Sequence, residues 1–256
     1  MHFIINEWRY FLTAVMFFTR IPVRIKHYQE TDLNHASRYF PLVGIIVGLV
    51  GALTFWLANK VLPLEISVLL SMVATILLTG AFHEDGLADA ADGLGGGYER
   101  EQVLTIMVDS RIGSYGAIAL VMALVLKYQS LSYVSAAILP MVMVAGHALS
   151  RYMAVLVMFT QSYVKSTGKS KPIATQLSIP SLIFASVFGL LAPLILLIPY
   201  LGLKYLAILL PVFIVWLWFS LKLKKRIGGY TGDCLGAMQQ ITEITFYLGI
   251  LACSSF

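Results

Sequence analysis

YFPLVGIIVGLVGALTFWLAN, residues 39–59, runs without one Asp, Glu, Lys or Arg, and so does PIATQLSIPSLIFASVFGLLAPLILLIPYLGL, residues 172–203. About 20 consecutive apolar residues are enough for a helix to cross a bilayer. The rest of the 256-residue chain agrees: 59% of its residues are hydrophobic and 12% charged, where a soluble domain carries about 25% charged residues. A soluble fold would need a core far too large for its surface. The expected class is therefore all-α: a polytopic integral membrane bundle of about seven or eight helices. Spans are expected near 39–60, 64–83, 113–134, 136–160, 180–199, 203–223 and 236–254. A shorter segment near 6–20, bearing Glu7 and Arg9, reads as an uncleaved first helix or an interfacial segment rather than a signal peptide. Pro63 and Pro140 separate consecutive apolar runs, as a residue without an N–H donor should.

The basic residues set a direction. Arg20, Arg24, Lys26 and Arg38 precede the first long span. Arg100 and Arg111 lie in 84–112, Lys165, Lys169 and Lys171 in 161–178, and Lys222, Lys224, Lys225 and Arg226 in 222–229. These segments alternate with the spans. The opposite turns, near 61–63, 134–136 and 200–203, are short and nearly uncharged. By the positive-inside rule the basic side is cytoplasmic, in a multi-pass protein of the cytoplasmic (inner) membrane. The run KLKKR, 222–226, reads as a topology and headgroup signal. The lipid bilayer is the expected environment, and no nucleic-acid partner is expected. Cys234 and Cys253 offer neither metal spacing nor a disulfide framework.

The chemistry gathers on the basic side. FHEDGLADAADGLGGG, residues 82–97, holds Glu84, Asp85, Asp89 and Asp92. Asp85, Asp89 and Asp92 are spaced i, i+4, i+7 and share one face of a helix. Unpaired carboxylates so close repel one another, and a divalent cation bound by oxygen, Mg²⁺ or Mn²⁺, relieves that. The pattern points to a membrane enzyme whose metal handles phosphate or diphosphate. His83, on another side of the same helix, suits phosphate donation or proton shuttling as well as plain packing. GLGGG, 93–97, is either a loop offering backbone N–H groups to an anion or a hinge.

Three further sets stand out. In DSRIGSYG, 109–116, Asp109 adds a carboxylate and Arg111 a bidentate donor for phosphate, unless the two form a surface pair. His147, Ser150 and Arg151 lie inside a span, where an arginine marks either function or an interhelical bond. In GGYTGDCLGAMQQITE, 228–243, Thr231 or Asp233 can cap a helix, while Glu243 lies three turns inside an apolar segment.

FHEDGLADAADGLGGG, IMVDSRIGSYG and GGYTGDCLGA occur in this order, with FFTRIPV and RYFPLVGIIVG before them. Together they resemble the cobalamin synthase family, the adenosylcobinamide-GDP ribazoletransferases. The resemblance implies one membrane-embedded transferase domain over residues 1–256. It implies a Mg²⁺-dependent reaction joining adenosylcobinamide-GDP to α-ribazole or its 5′-phosphate, with release of GMP, late in vitamin B12 assembly. The family's motifs fall on His83, Asp85, Asp89, Asp92, Asp109, Ser110, Arg111, Gly232, Asp233 and Glu243. Expected roles follow: His83, Asp85, Asp89, Asp92 and Asp233 in catalysis, with Asp85, Asp89 and Asp92 holding the metal. Asp109, Ser110, Arg111, His147, Arg151 and Glu243 are expected to bind substrate. The hydroxyl proton passes to a carboxylate or to His83. Homo-oligomerisation stays open.

Two other classes share some of this pattern. Asp89-Ala-Ala-Asp92-Gly93 matches the start of the CDP-alcohol phosphotransferase motif, but the continuation is missing. A transporter would be expected to show repeated halves and broken helices near the bilayer midplane; here the charges gather at one end.

Overall fold

The computed structural model describes residues 2–25, 29, 32–164 and 177–254. Lys26, Lys165, Lys169 and Lys171 lie outside the described residues. Among the described residues there are ten helices: α1 (His2–Phe18), α2 (Asp32–Ala58), α3 (Leu64–Thr79), α4 (Phe82–Gly96), α5 (Arg100–Met107), α6 (Ser114–Ser132), α7 (Leu139–Thr160), α8 (Ile179–Leu201), α9 (Lys204–Ile227) and α10 (Gly232–Ser254). Five of them, α2 and α6 to α9, are long and apolar enough to cross a membrane. The protein is a polytopic helical bundle, as expected.

α7 is the axis of the bundle. Of its apolar window 83% is buried inside the protein, against 28% for α6, α8 and α9. Those three helices keep Ile118, Ile195, Leu210 and Ile214 on the outside, as lipid-facing helices should. α2 packs along α7 most extensively. Gly44 and Gly48 make this possible, since a Cβ on Gly44 would collide with the backbone carbonyl of His147. α1 is clipped to the start of α2 by two ion pairs, Arg9 to Asp32 at 3.1 Å and Arg38 to Glu7 at 2.7 Å. In α8 a π turn spans Val187–Leu191. It directly precedes Pro193, which has no N–H and whose ring crowds the preceding turn.

The structure departs from the expected spans at the acidic segment. The segment expected as one span from 64 to 83 stops at Thr79, and the chain turns by 85° into α4. Gly80 and Ala81 both take left-handed backbone angles, φ 68° and 59°, and the Ala81 N–H closes on the Ile76 carbonyl at 3.0 Å. Two consecutive left-handed residues make a sharp corner. α4 then runs on through Gly96, so GLGGG is mostly helix rather than loop. Its backbone N–H groups are used inside the helix. Gly93 faces Met107 of α5, and Gly95 faces the ring of Tyr115. Arg226 donates to the carbonyls of Leu94 (3.3 Å) and Gly97, satisfying acceptors left over at the C-terminus of α4. One residue of KLKKR thus has a packing role besides its charge.

α10 was expected as a span over 236–254. It is a helix but not one of the five, because its polar residues lower its hydropathy. Those residues point inward: Gln239, Gln240, Thr242 and Glu243 are all buried.

The charge bias predicts which ends face the cytoplasm. Thr231 is a poor reporter, being only 5% exposed, whereas Tyr98 is 90% and Val61 82% exposed. In a background with Cys253→Ser, a membrane-impermeant thiol reagent added to intact cells should label Val61→Cys and spare Tyr98→Cys. Labelling of Tyr98→Cys alone would reverse the orientation.

Candidate active site

Three elements converge on one cavity of about 400 Å³: α4, the α5–α6 connection, and the start of α10. Asp85, Asp89, Asp109, Ser110, Thr231 and Asp233 line it, with Phe17, Phe82 and Tyr163 as aromatic walls, and among the described residues no Lys, Arg or His joins them. α4 and α10 reach each other because both present glycine at the contact. A Cβ on Gly86 would lie 3.0 Å from the Asp233 carbonyl and 3.2 Å from the Cα of Gly236. That approach brings Asp233 beside Asp85 and Asp89, and Asp89 feels the carboxylates of Asp85, Asp233 and Asp92.

Asp233 is not the helix cap. The hydroxyl of Thr231 accepts the Cys234 N–H at 3.4 Å and lies 3.3 Å from the Asp233 carboxylate, to which it can donate. Asp233 is left to line the cavity.

Asp92 has a different setting from Asp85 and Asp89, although it shares their helix face. Its carboxylate accepts the N–H of Gly113 at 2.7 Å and of Gly116 at 2.8 Å. These belong to the first turn of α6, where unsatisfied donors and the helix dipole favour an anion. Both positions need glycine, because a Cβ at either would strike that carboxylate. The expected metal set of Asp85, Asp89 and Asp92 is therefore divided. Two members face the cavity, and the third has both oxygens engaged by backbone. Asp233 takes the third place in the cavity.

At the cavity edge Arg111 donates to both oxygens of Asp109, at 3.0 and 2.7 Å. These bonds hold the Asp109 carboxyl at about 2, below the usual carboxylate range. Arg111 is otherwise in solvent, 86% exposed. The pair anticipated as an alternative is present, and its Asp109 lines the cavity.

The remaining expected residues lie behind this cavity. His83 stacks on Phe18, ring centroids 5.5 Å apart, and lines a small enclosed space with Arg151 and Gln239. Arg151 donates to the His147 carbonyl at 3.0 Å. Glu243 is fully buried and bonded to Lys127 at 3.1 Å, to the Tyr247 hydroxyl at 3.0 Å and to Gln239, with His147 at 3.5 Å. Lys127 also donates to Gln240 (3.1 Å), and Gln240 donates to Glu84 (3.0 Å). This network joins α4, α6, α7 and α10 inside the bundle. His147, Arg151 and Glu243, expected to bind substrate, are placed within it and do not line the cavity. Sequence reading missed Lys127, Gln239 and Tyr247. A lone lysine in the apolar run 113–134 was a usable signal, by the same rule that singled out Arg151.

Two predictions separate these roles. Asp89→Asn should cut turnover at least about a hundredfold with an unfolding temperature near wild type. Asp92→Ala should instead lose about 1–2 kcal/mol of stability, as a lost helix cap does; a thermal melt in detergent distinguishes them. Lys127→Met leaves the Glu243 charge buried without its cation and should cost about 3–5 kcal/mol. Adding Glu243→Gln removes that charge and should restore part of the loss. A double variant less stable than Lys127→Met would show that the pair does not act this way.

Comparison with known proteins places this arrangement in a family. Residues 10–251 match the family model described as cobalamin-5-phosphate synthase. Proteins named adenosylcobinamide-GDP ribazoletransferase are similar over nearly the full chain. The one from Shewanella amazonensis is 46% identical over 252 residues, covering 96% of each chain. The one from Shewanella frigidimarina is 47% identical, covering 97% of this chain and 96% of its own, and that of Ralstonia pickettii is 47% identical, covering 96% of each. No solved structure matches the chain. The protein belongs to the cobalamin-5-phosphate synthase family and is a transferase.

Proposed function

We propose that this enzyme transfers the adenosylcobinamide phosphate group of adenosylcobinamide-GDP to α-ribazole or α-ribazole 5′-phosphate. It releases GMP and forms adenosylcobalamin or its 5′-phosphate, at the cytoplasmic face of the inner membrane. The observation that carries this is the cavity itself: four aspartates line it, and among the described residues no basic side chain does. A diphosphate substrate is an anion, and a cation between it and these carboxylates offsets their repulsion. Among the described residues no three acidic or His/Cys side chains close into a full metal cage. Mg²⁺ does not require one, since it is commonly held by one or two carboxylates, water and substrate phosphates. Asp85, Asp89 and Asp233 have the donor type and position to hold it. When bound, it neutralises charge on the diphosphate and on the leaving oxygen.

The chain's own groups do the rest. A ribose hydroxyl oxygen attacks the phosphorus next to the cobinamide linker, a new P–O bond forms, and the bond to GMP breaks. The hydroxyl proton passes to a carboxylate of the cavity; His83 is a poor acceptor because it lines a separate enclosed space. Arg111, at the edge, is placed to exchange its contact with Asp109 for a phosphate. In such transfers positioning and charge stabilisation supply most of the rate. A CDP-alcohol reading has less support, because it needs Asp92 in the metal set and Asp92 is engaged by Gly113 and Gly116.

Purified enzyme in liposomes should convert labelled adenosylcobinamide-GDP and α-ribazole to a cobalamin product and GMP, separable by chromatography. Chelation should stop the reaction and Mg²⁺ restore it. Asp233→Asn should keep the melting temperature but lower the rate at least about a hundredfold, roughly 2.7 kcal/mol of barrier. Absence of any cobalamin product from the folded, metal-supplied enzyme would reject the reading.

A further inference from the structure

On the face of α4 opposite Asp85 and Asp89 lies a second opening, a groove of about 520 Å³ between α4, α6, α9 and α10. Its walls are almost wholly apolar: Leu94, Ala119, Met122, Trp218 and Ile241 are typical, and Lys222 is the one charged residue. α6 and α9 are both membrane-crossing helices by length and composition, so the groove opens toward hydrocarbon. An unfilled apolar groove there forfeits dispersion contacts along its lining.

Lys222 indicates what fills it. The side chain is half-buried, and its ammonium lies 5.5 Å from the ring centroid of Trp218. No carboxylate pairs with it among the described residues. One turn further on, Lys224, Lys225 and Arg226 close the helix. Arg226 is bound to the carbonyls at the end of α4, so the basic end of α9 adjoins the groove. Tyr115, on the first turn of α6, lines the groove too. A tyrosine, a tryptophan and a lysine at one end of an apolar slot form the usual boundary between lipid tails and headgroups. A basic cluster at that level favours negatively charged lipids. The polar diphosphate substrate has no counterpart in this lining, and the body of α4 stands between the groove and the aspartates.

We propose that this groove seats one acyl chain of an anionic phospholipid, with the headgroup phosphate held at Lys222. The bound chain braces the back of α4, the helix that carries Asp85 and Asp89 on its front.

The test uses the full-length protein in nanodiscs of phosphatidylglycerol and phosphatidylcholine in equal amounts. The protein is then extracted in mild detergent and weighed intact by native mass spectrometry. Wild type should retain one phosphatidylglycerol per chain, at least about fivefold over phosphatidylcholine. Ala119→Trp fills the groove and should lose the lipid; Ala91→Phe narrows it from the α4 side and serves if the first variant does not fold. Lys222→Gln should keep the slot but bring the two lipids to equal retention. Phosphatidylglycerol should raise the melting temperature of wild type and not that of Lys222→Gln. Retention of no lipid by wild type, equal retention of the two lipids, or unchanged retention in a folded groove-filling variant would each overturn the proposal. These readouts do not depend on the transferase reaction, so they stand apart from the proposed function.

Discussion

Glu243 is a carboxylate with no exposure in the middle of a membrane bundle, and the arrangement of the catalytic half follows from what that charge requires. A buried ion left alone costs far more than the fold can supply, so partners must come to it. Lys127 arrives from α6, and His147 from α7; Gln239 and Tyr247 come from α10 itself. Lys127 and Gln240 extend the contacts to Glu84 on α4. Helices that share only apolar contacts in lipid can slide, because lipid tails solvate them as well as one another. A shared charge fixes their register. The network sits behind the cavity and does not line it.

α4 divides its residues among several tasks. Asp85 and Asp89 face the cavity, Asp92 is tied to the start of α6, and Gly86 meets Gly236 of α10. Glu84 reaches Gln240, and the Leu87–Leu94 side is apolar. The 85° corner at Gly80–Ala81 lets the helix do all this. A straight continuation of α3 would carry the aspartates along the line of that helix, away from α10. The glycines of the motif are thus spent on contacts between helices: Gly113 and Gly116 give room to Asp92, and Gly93 gives room to α5.

The bundle was legible because its signal is compositional: runs without charge, basic residues in alternate connections, and prolines between spans. The site was legible in part. The i, i+4, i+7 spacing put three aspartates on one face, and they do share it. Spacing alone does not reveal that the α6 N-terminus would meet that face one turn beyond Asp89 and claim Asp92. Nor does it say that Asp233, far along the chain, would line the cavity beside Asp85 and Asp89, since that depends on two glycines facing each other across α4 and α10. Lys127 stands alone in its apolar run, whereas Arg151 has a histidine four residues before it, which makes the arginine the stronger signal in the sequence.

Among the described residues Asp85, Asp89 and Asp233 crowd together without an ion pair, whereas Asp109 is held by Arg111. Four basic residues of this half have partners of their own: Arg111 holds Asp109, Arg226 holds the end of α4, and Lys127 and Arg151 lie in the buried network. Asp89 accordingly lies in the field of Asp85, Asp233 and Asp92. Such crowding disfavours the charged form of each carboxylate. Stability held in the network, and in the packing on the far side of α4, allows the front of that helix to stay poised in this way. A site built from paired charges would be easier to fold, but its carboxylates would already be neutralised before the substrate came.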